Sequence, residues 1–116
     1  MSGLVFLKTK NIDLIREFYV NRIGMELWCD QGQCIILRHG NFLLGFCEGG
    51  IEPVSPCITF FYSKKKDVDK MHDILQDIST SAPVENVKFN IYHFWAKDPE
   101  DRTLEIQHFN DPSLTV

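Results

Sequence analysis

The chain has 116 residues, enough for one domain with a core of its own. It is 44% hydrophobic with nine phenylalanines, and its net charge of −4 excludes a surface built for nucleic acid, as does the lack of a basic patch with interleaved aromatics. No apolar run nears the length of a membrane span, and Leu4 to Leu7 is too short for a signal-peptide core, so the expectation is a cytoplasmic protein.

In chain order, Leu4 to Leu7 reads as a short strand. Asn11 is a helix N-cap, and Ile12, Ile15, Tyr19 and Ile23 follow at helical spacing with Phe18 widening the stripe. This predicts a helix over about residues 11–23, ended by Gly24. Met25 to Asp30, Cys34 to His39 and Phe42 to Glu48 read as three strands. Gln31-Gly32 and Gly40-Asn41 between them suit antiparallel hairpins. Gly49 through Pro56 is the one clear break.

Then the order repeats. Pro56 to Tyr62 reads as a strand. Val68, Met71, Leu75 and Ile78 predict an amphipathic helix over about 65–79, with Ser63 or Asp67 near its start. Val84 to Phe89 is a weak strand, followed by strands at Ile91 to Lys97 and Thr103 to Phe109. Ile12, Ile15 and Tyr19 match Val68, Met71 and Leu75 at a spacing of 56 residues. An internal repeat near this period is a fold-level signal. The expected fold class is α+β: two βαβββ modules forming a curved mixed sheet around a cleft. Module one covers 1–49, a linker 50–55, module two 56–110 and a polar tail 111–116, all within one domain.

Cys29, Cys34, Cys47 and Cys57 include no C-x-x-C pair. Without a secretory context they are expected as four reduced thiols, and the close pairs of a four-cysteine zinc site are absent. His39, His72, His93 and His108 are read as structural, because no second member of a constellation stands beside them in the sequence. The orientation of His93 is left open. No phosphate-binding glycine loop and no nucleophile elbow occurs.

The most informative stretch is Asp98-Pro99-Glu100-Asp101-Arg102-Thr103-Leu104-Glu105. Asp-Pro starts a turn, and Asp101 suits a left-handed position within it. The next strand alternates, with Leu104, Ile106 and His108 on one face and Thr103, Glu105, Gln107 and Phe109 on the other. A lone glutamate in such a position is ordinarily solvent-facing.

This stretch resembles the "DPDGN.iE" segment of the glyoxalase/bleomycin resistance/dioxygenase superfamily, whose members are also called vicinal oxygen chelate proteins. Glu17 to Met25 resembles that superfamily's "FY..xLG" segment, and the repeated strand order matches across nearly the whole chain. The resemblance implies paired βαβββ modules around a U-shaped cleft and commonly a homodimer. It also implies that Glu105 holds the position of a metal-ligating glutamate. The other ligand positions depart from the pattern. Gly3 to Thr9 holds no His, Asp, Glu or Cys, Pro56 to Tyr62 offers only Cys57, and Gly45 matches the ligand position of the first module.

The expectation is therefore a small-molecule-binding protein without a metal or other cofactor, making no contact with nucleic acid or membrane. Its ligand is neutral or cationic. Glu105 supplies a buried carboxylate and is the best candidate for any catalytic role. Arg38 is the expected cation beside it, Trp28 and Trp95 are candidate stacking walls, and Cys57, Thr59 and Gln107 are further candidate contacts. A second reading is a metal-dependent lyase or dioxygenase with the ion on Glu105. A third is a dimerisation module with no ligand.

Overall fold

The computed structural model describes residues 2–50 and 56–114. Two compact units divide the chain, Met1–Val54 and Ser55–Val116. The linker expected at 50–55 lies, apart from Gly50, outside the described residues. Each unit is an α+β layer of one four-stranded mixed sheet and one helical segment.

In the first unit the elements are β1 (Leu4–Thr9), α1 (Ile12–Glu17), a π-helical segment (Phe18–Ile23), β2 (Glu26–Asp30), β3 (Cys34–His39) and β4 (Phe42–Glu48). The sheet order is β1-β4-β3-β2, with β1 parallel to β4 and the other pairs antiparallel. The second unit repeats this as β5 (Cys57–Phe61), α2 (Lys65–Ile74), β6 (Val84–Asn86), β7 (Ile91–Lys97) and β8 (Thr103–Phe109), ordered β5-β8-β7-β6. Strands β3, β4, β7 and β8 match their expected bounds, because period-two alternation between turn residues is a local signal; β6, expected over 84–89, is only Val84–Asn86, and residues 87–90 turn into β7.

Both helices depart from expectation. Asn11 caps α1 as predicted, its Oδ1 accepting from the Leu14 N–H at 3.1 Å. The single helix expected over 11–23 is instead α-helical only to Glu17. In the π-helical turn that follows, the Gly24 and Met25 N–H groups both donate to the Tyr19 carbonyl, at 3.1 and 2.9 Å. Phe18, Tyr19 and Ile23 of this turn are all buried, and the Phe18 and Tyr19 rings meet edge to face at 5.0 Å. Gly24 closes the segment at φ +95, where glycine carries no Cβ penalty.

Helix α2 ends at Ile74 rather than 79, and its N-cap is Lys64, with no side-chain cap bond. The helix starts Asn11 and Lys64 are thus three residues closer than the spacing of 56 read from the pattern, so Ile15 corresponds to Val68. The early end of α2 follows from the sheet. Strand β6 pairs with only Ile91 to His93, which leaves the rest of that edge of β7 uncovered. Residues 78–81 leave the helix to bond it. The Thr80 N–H donates to the Trp95 carbonyl, the Lys97 N–H to the Ile78 carbonyl and the Trp95 N–H to Ser81 Oγ. Unpaired backbone at a sheet edge is costly to bury, and this outweighs another helical turn.

The four-reduced-thiol expectation is corrected: Cys34 and Cys47 form a disulfide. The hairpin joining His39 to Phe42 places these two residues opposite each other on β3 and β4, with Cα atoms 4.1 Å apart. No helix of the described residues is long and apolar enough to cross a membrane.

The turn from Asp98 to Arg102 is tied by a buried ion pair. Arg102 Nη1 lies 3.0 Å from Asp98 Oδ2, and both residues are buried. Asp98 Oδ1 also accepts the backbone N–H groups of Glu100 and Arg102, each at 2.9 Å. Asp101 sits at φ +67, the left-handed position expected for it. Removing one partner of a buried pair strands the other charge. Arg102→Met is therefore expected to cost about 3–5 kcal/mol in urea unfolding, whereas a surface ion pair such as Arg16–Asp30 contributes about 0–1 kcal/mol.

Tyr92 supplies a pH prediction. Its hydroxyl donates to Asp69 Oδ1 at 2.5 Å, and this bond, with burial and the nearby charge, pushes its pKa up to about 12. A raised folded-state pKa stabilises below the unfolded value and loses that contribution as pH rises through the folded one. The Tyr92 contribution is therefore complete below pH 10 and lost between pH 10 and about 12. Unfolding midpoints measured across that range are expected to fall less steeply for Tyr92→Phe than for the parent chain.

Candidate functional site

Sheet register in the second unit determines which side chains meet. Closing β7 and β8 through the 98–102 turn pairs Lys97 with Thr103, Trp95 with Glu105 and His93 with Gln107. Parallel pairing of β5 with β8 sets Cys57 beside Thr103, Thr59 beside Glu105 and Phe61 beside Gln107. Ile58, Phe60, Leu104, Ile106, Phe94 and Ala96 take the opposite face, where they are buried and α2 packs. The remaining face carries the polar residues.

On that face Glu105 is not the ordinary solvent-facing glutamate: its side chain is only 13% exposed. One carboxylate oxygen accepts the Thr59 hydroxyl at 3.0 Å, and the other lies 2.8 Å from His93 Nδ1. A carboxylate accepts only, so Nδ1 carries the proton, and in the neutral ring Nε2 is left as an acceptor. The His93 ring meets Trp95 edge to face at 5.3 Å. Cys57 Sγ lies 3.8 Å from Thr59 Oγ1 and is exposed. A hollow of about 410 Å³ opens here, lined by Asn86, Phe89, Ile91, His93, Trp95, Glu105, Gln107 and Phe109.

Of the residues singled out from sequence, Glu105, Thr59, Trp95, Gln107 and Cys57 thus share one sheet face. Cys57 lies next to Thr59 but does not line the hollow. Trp28 and Arg38 belong to the first unit. Trp28 occupies the irregularity between Leu27 and Cys29 and is exposed. Within the first unit Arg38 pairs with Glu26 at 3.0 Å; within the second, Thr59 and His93 bond the Glu105 carboxylate.

His93 is the residue that sequence reading missed. Its neighbour in the constellation was legible: the turn register sets His93 opposite Gln107, and Glu105 is then its diagonal neighbour. His108 points its Nδ1 at the Tyr62 carbonyl, 2.9 Å away, and His72 packs edge-on against Phe94.

A divalent metal of the kind the superfamily uses needs about three protein ligands. Among the described residues no group of three His, Cys, Asp or Glu side chains is placed to hold a metal ion. The position in the first sheet equivalent to Glu105 is Gly45, between Phe6 and Ile36 as Glu105 lies between Thr59 and Trp95. The Phe6 ring covers it, and a Cβ on Gly45 would fall 2.4 Å from Phe6 Cδ1. The donor set does not fit a metal of this kind.

By sequence, no family model and no curated protein matches the chain. By structure it is similar to several solved proteins. A glyoxalase/bleomycin resistance protein/dioxygenase family enzyme from Burkholderia phytofirmans PsJN superposes with a TM-score of 0.79 at 19% identity, covering 91% of this chain and 96% of that one. Lactoylglutathione lyase from Agrobacterium tumefaciens gives 0.78 at 16%, covering 95% and 94%. An integron cassette protein from the mobile metagenome of the Halifax Harbour sewage outfall gives 0.80 at 18%, covering 93% and 97%. The chain has the fold of the glyoxalase/bleomycin resistance/dioxygenase superfamily.

Proposed function

We propose that this chain binds a small, flat, cationic or neutral organic molecule in the hollow of its second sheet, without a metal or other cofactor. The observation that carries this reading is the Thr59–Glu105–His93 arrangement, a hydrogen-bonded carboxylate at the floor of an aromatic hollow. Phe89, Trp95 and Phe109 offer ring faces for stacking and, for a cation, a quadrupole attraction. The Glu105 carboxylate at the floor is largely shielded from water, and there charge complementarity acts more strongly than at an open surface. The Gln107 amide and His93 Nε2 add a donor and an acceptor that orient the ligand.

The chain is further proposed to work as a homodimer. Leu4, Val5 and Phe6 on the edge strand β1 are exposed, and such an edge is a surface that a second copy can cover. Light scattering at micromolar concentration is expected to report twice the chain mass.

The binding test uses an aromatic cation, N-methylquinolinium, titrated while Trp95 fluorescence is followed. Quenching that saturates is expected, and Trp95→Phe should remove most of the signal. Glu105→Gln keeps the shape, loses the charge and is expected to fold normally while weakening binding by about 1–3 kcal/mol, the scale for disturbing a buried hydrogen-bonded group. Equal affinity in the two proteins would remove Glu105 from the site.

A further inference from the structure

The first sheet carries sulfur where the second carries its polar floor. Register places the Cys34–Cys47 pair on β3 and β4 at the position that His93 and Gln107 occupy on β7 and β8. Both cysteines are half-buried, within reach of a small reagent. Cys29 is a free thiol, also half-buried. Its partner Ile36 lies two residues from Cys34 on β3, so Cys29 shares their face. Asp30, the next residue along, points the other way, to Arg16 of α1. Three sulfurs therefore lie on one face across three adjacent strands, and Cys34 stands on the middle one.

We propose that this face is a thiol–disulfide exchange site that takes low-molecular-weight thiols, with Cys29 as the resolving thiol. A small thiolate attacks Cys34 Sγ. The Cys34–Cys47 bond breaks, a mixed disulfide forms on Cys34, and Cys47 leaves as a thiolate. Lys8 is the register partner of Cys47 on the parallel strand β1, and a neighbouring cation favours the thiolate. Cys29 then gives its proton to solvent and its thiolate attacks Cys34 Sγ. The small thiol departs, leaving a Cys29–Cys34 bond and a free Cys47. With excess reagent, a second small thiolate instead attacks the reagent sulfur of the mixed disulfide, and Cys34 leaves as a thiolate. Two molecules of the thiol are then oxidised to their own disulfide, and the protein gains two thiols.

Geometry favours this over a purely structural bond. The ladder of β3 on β4 runs from Cys34–Cys47 to His39–Phe42, so it holds the two cysteines opposite each other when the bond is open. Diagonal neighbours such as Cys29 and Cys34 stand about 7–8 Å apart in a regular ladder. Bridging them needs a small backbone shift. Strand β2 can supply it, since it is an edge strand and already irregular between Leu27 and Cys29.

The test uses the full chain carrying Cys57→Ser, so that the exposed thiol of the second unit takes no adduct. The protein is kept native in mixtures of 2-mercaptoethanol and its disulfide, then quenched by alkylation and read by intact and peptide mass spectrometry. Without reagent, only Cys29 is expected to alkylate. With rising thiol, Cys34 and Cys47 should open in one two-electron transition while circular dichroism stays unchanged. Adding Cys29→Ser should let the mixed disulfide accumulate several-fold, and Cys29→Ala should do the same if serine disturbs the sheet. Native protein in which Cys34 and Cys47 alkylate without reductant overturns the proposal. So does a bond that opens only on unfolding, or equal adduct levels with and without Cys29.

Discussion

The second unit depends on the buried Asp98–Arg102 pair. One carboxylate there answers a guanidinium and two backbone N–H groups inside a five-residue turn. A looser loop would let β8 slip on β7, and a slip of one residue would turn Glu105 from the polar face to the helix face. Because the turn is tied, Lys97 faces Thr103, and the rest of the ladder follows, including the approach of His93 to Glu105. The charges that hold the turn are far from the hollow in function but set its geometry.

Duplication has produced two sheets with one topology and different faces. At equivalent positions the first sheet has Phe6, Gly45 and Ile36 where the second has Thr59, Glu105 and Trp95. Gly45 has a packing role: only a residue without Cβ leaves room for the Phe6 ring. The apolar substitution that fills this face also removes the donor that a metal site would need there. A half-buried carboxylate, supported by a hydroxyl and an imidazole, is chemistry suited to binding and orientation, and the proposed function rests on that difference.

The two hairpins of the second halves were readable from local pattern, and so were several of their consequences. The two-residue connection at Gly40-Asn41 pairs His39 with Phe42, and counting back along that ladder reaches Cys34 and Cys47. Short cysteine motifs carry no sign of this pairing, because it arises from cross-strand register rather than from spacing along the chain. The orientation of His93 stays open in the sequence for the same reason: its partner Glu105 lies across a turn and not beside it in sequence.

Sequence alone determined the repeated strand-helix-strand order, the alternation that separates Glu105 from Leu104 and Ile106, and the turn at Asp98 to Arg102, since all of these arise from neighbours within a few residues. Tertiary structure decided what those residues touch. Thr59 reaches Glu105 across a sequence separation of 46 through a parallel pairing, which needs a crossover helix and leaves no local signature. Helix α2 stops early because the exposed edge of β7 needs hydrogen bonds, a demand visible only once the sheet exists. The shielding of Glu105 and His93 from water is likewise a property of the packed sheet: alternation assigns a side chain to a face, and only the assembled fold determines how far water reaches it.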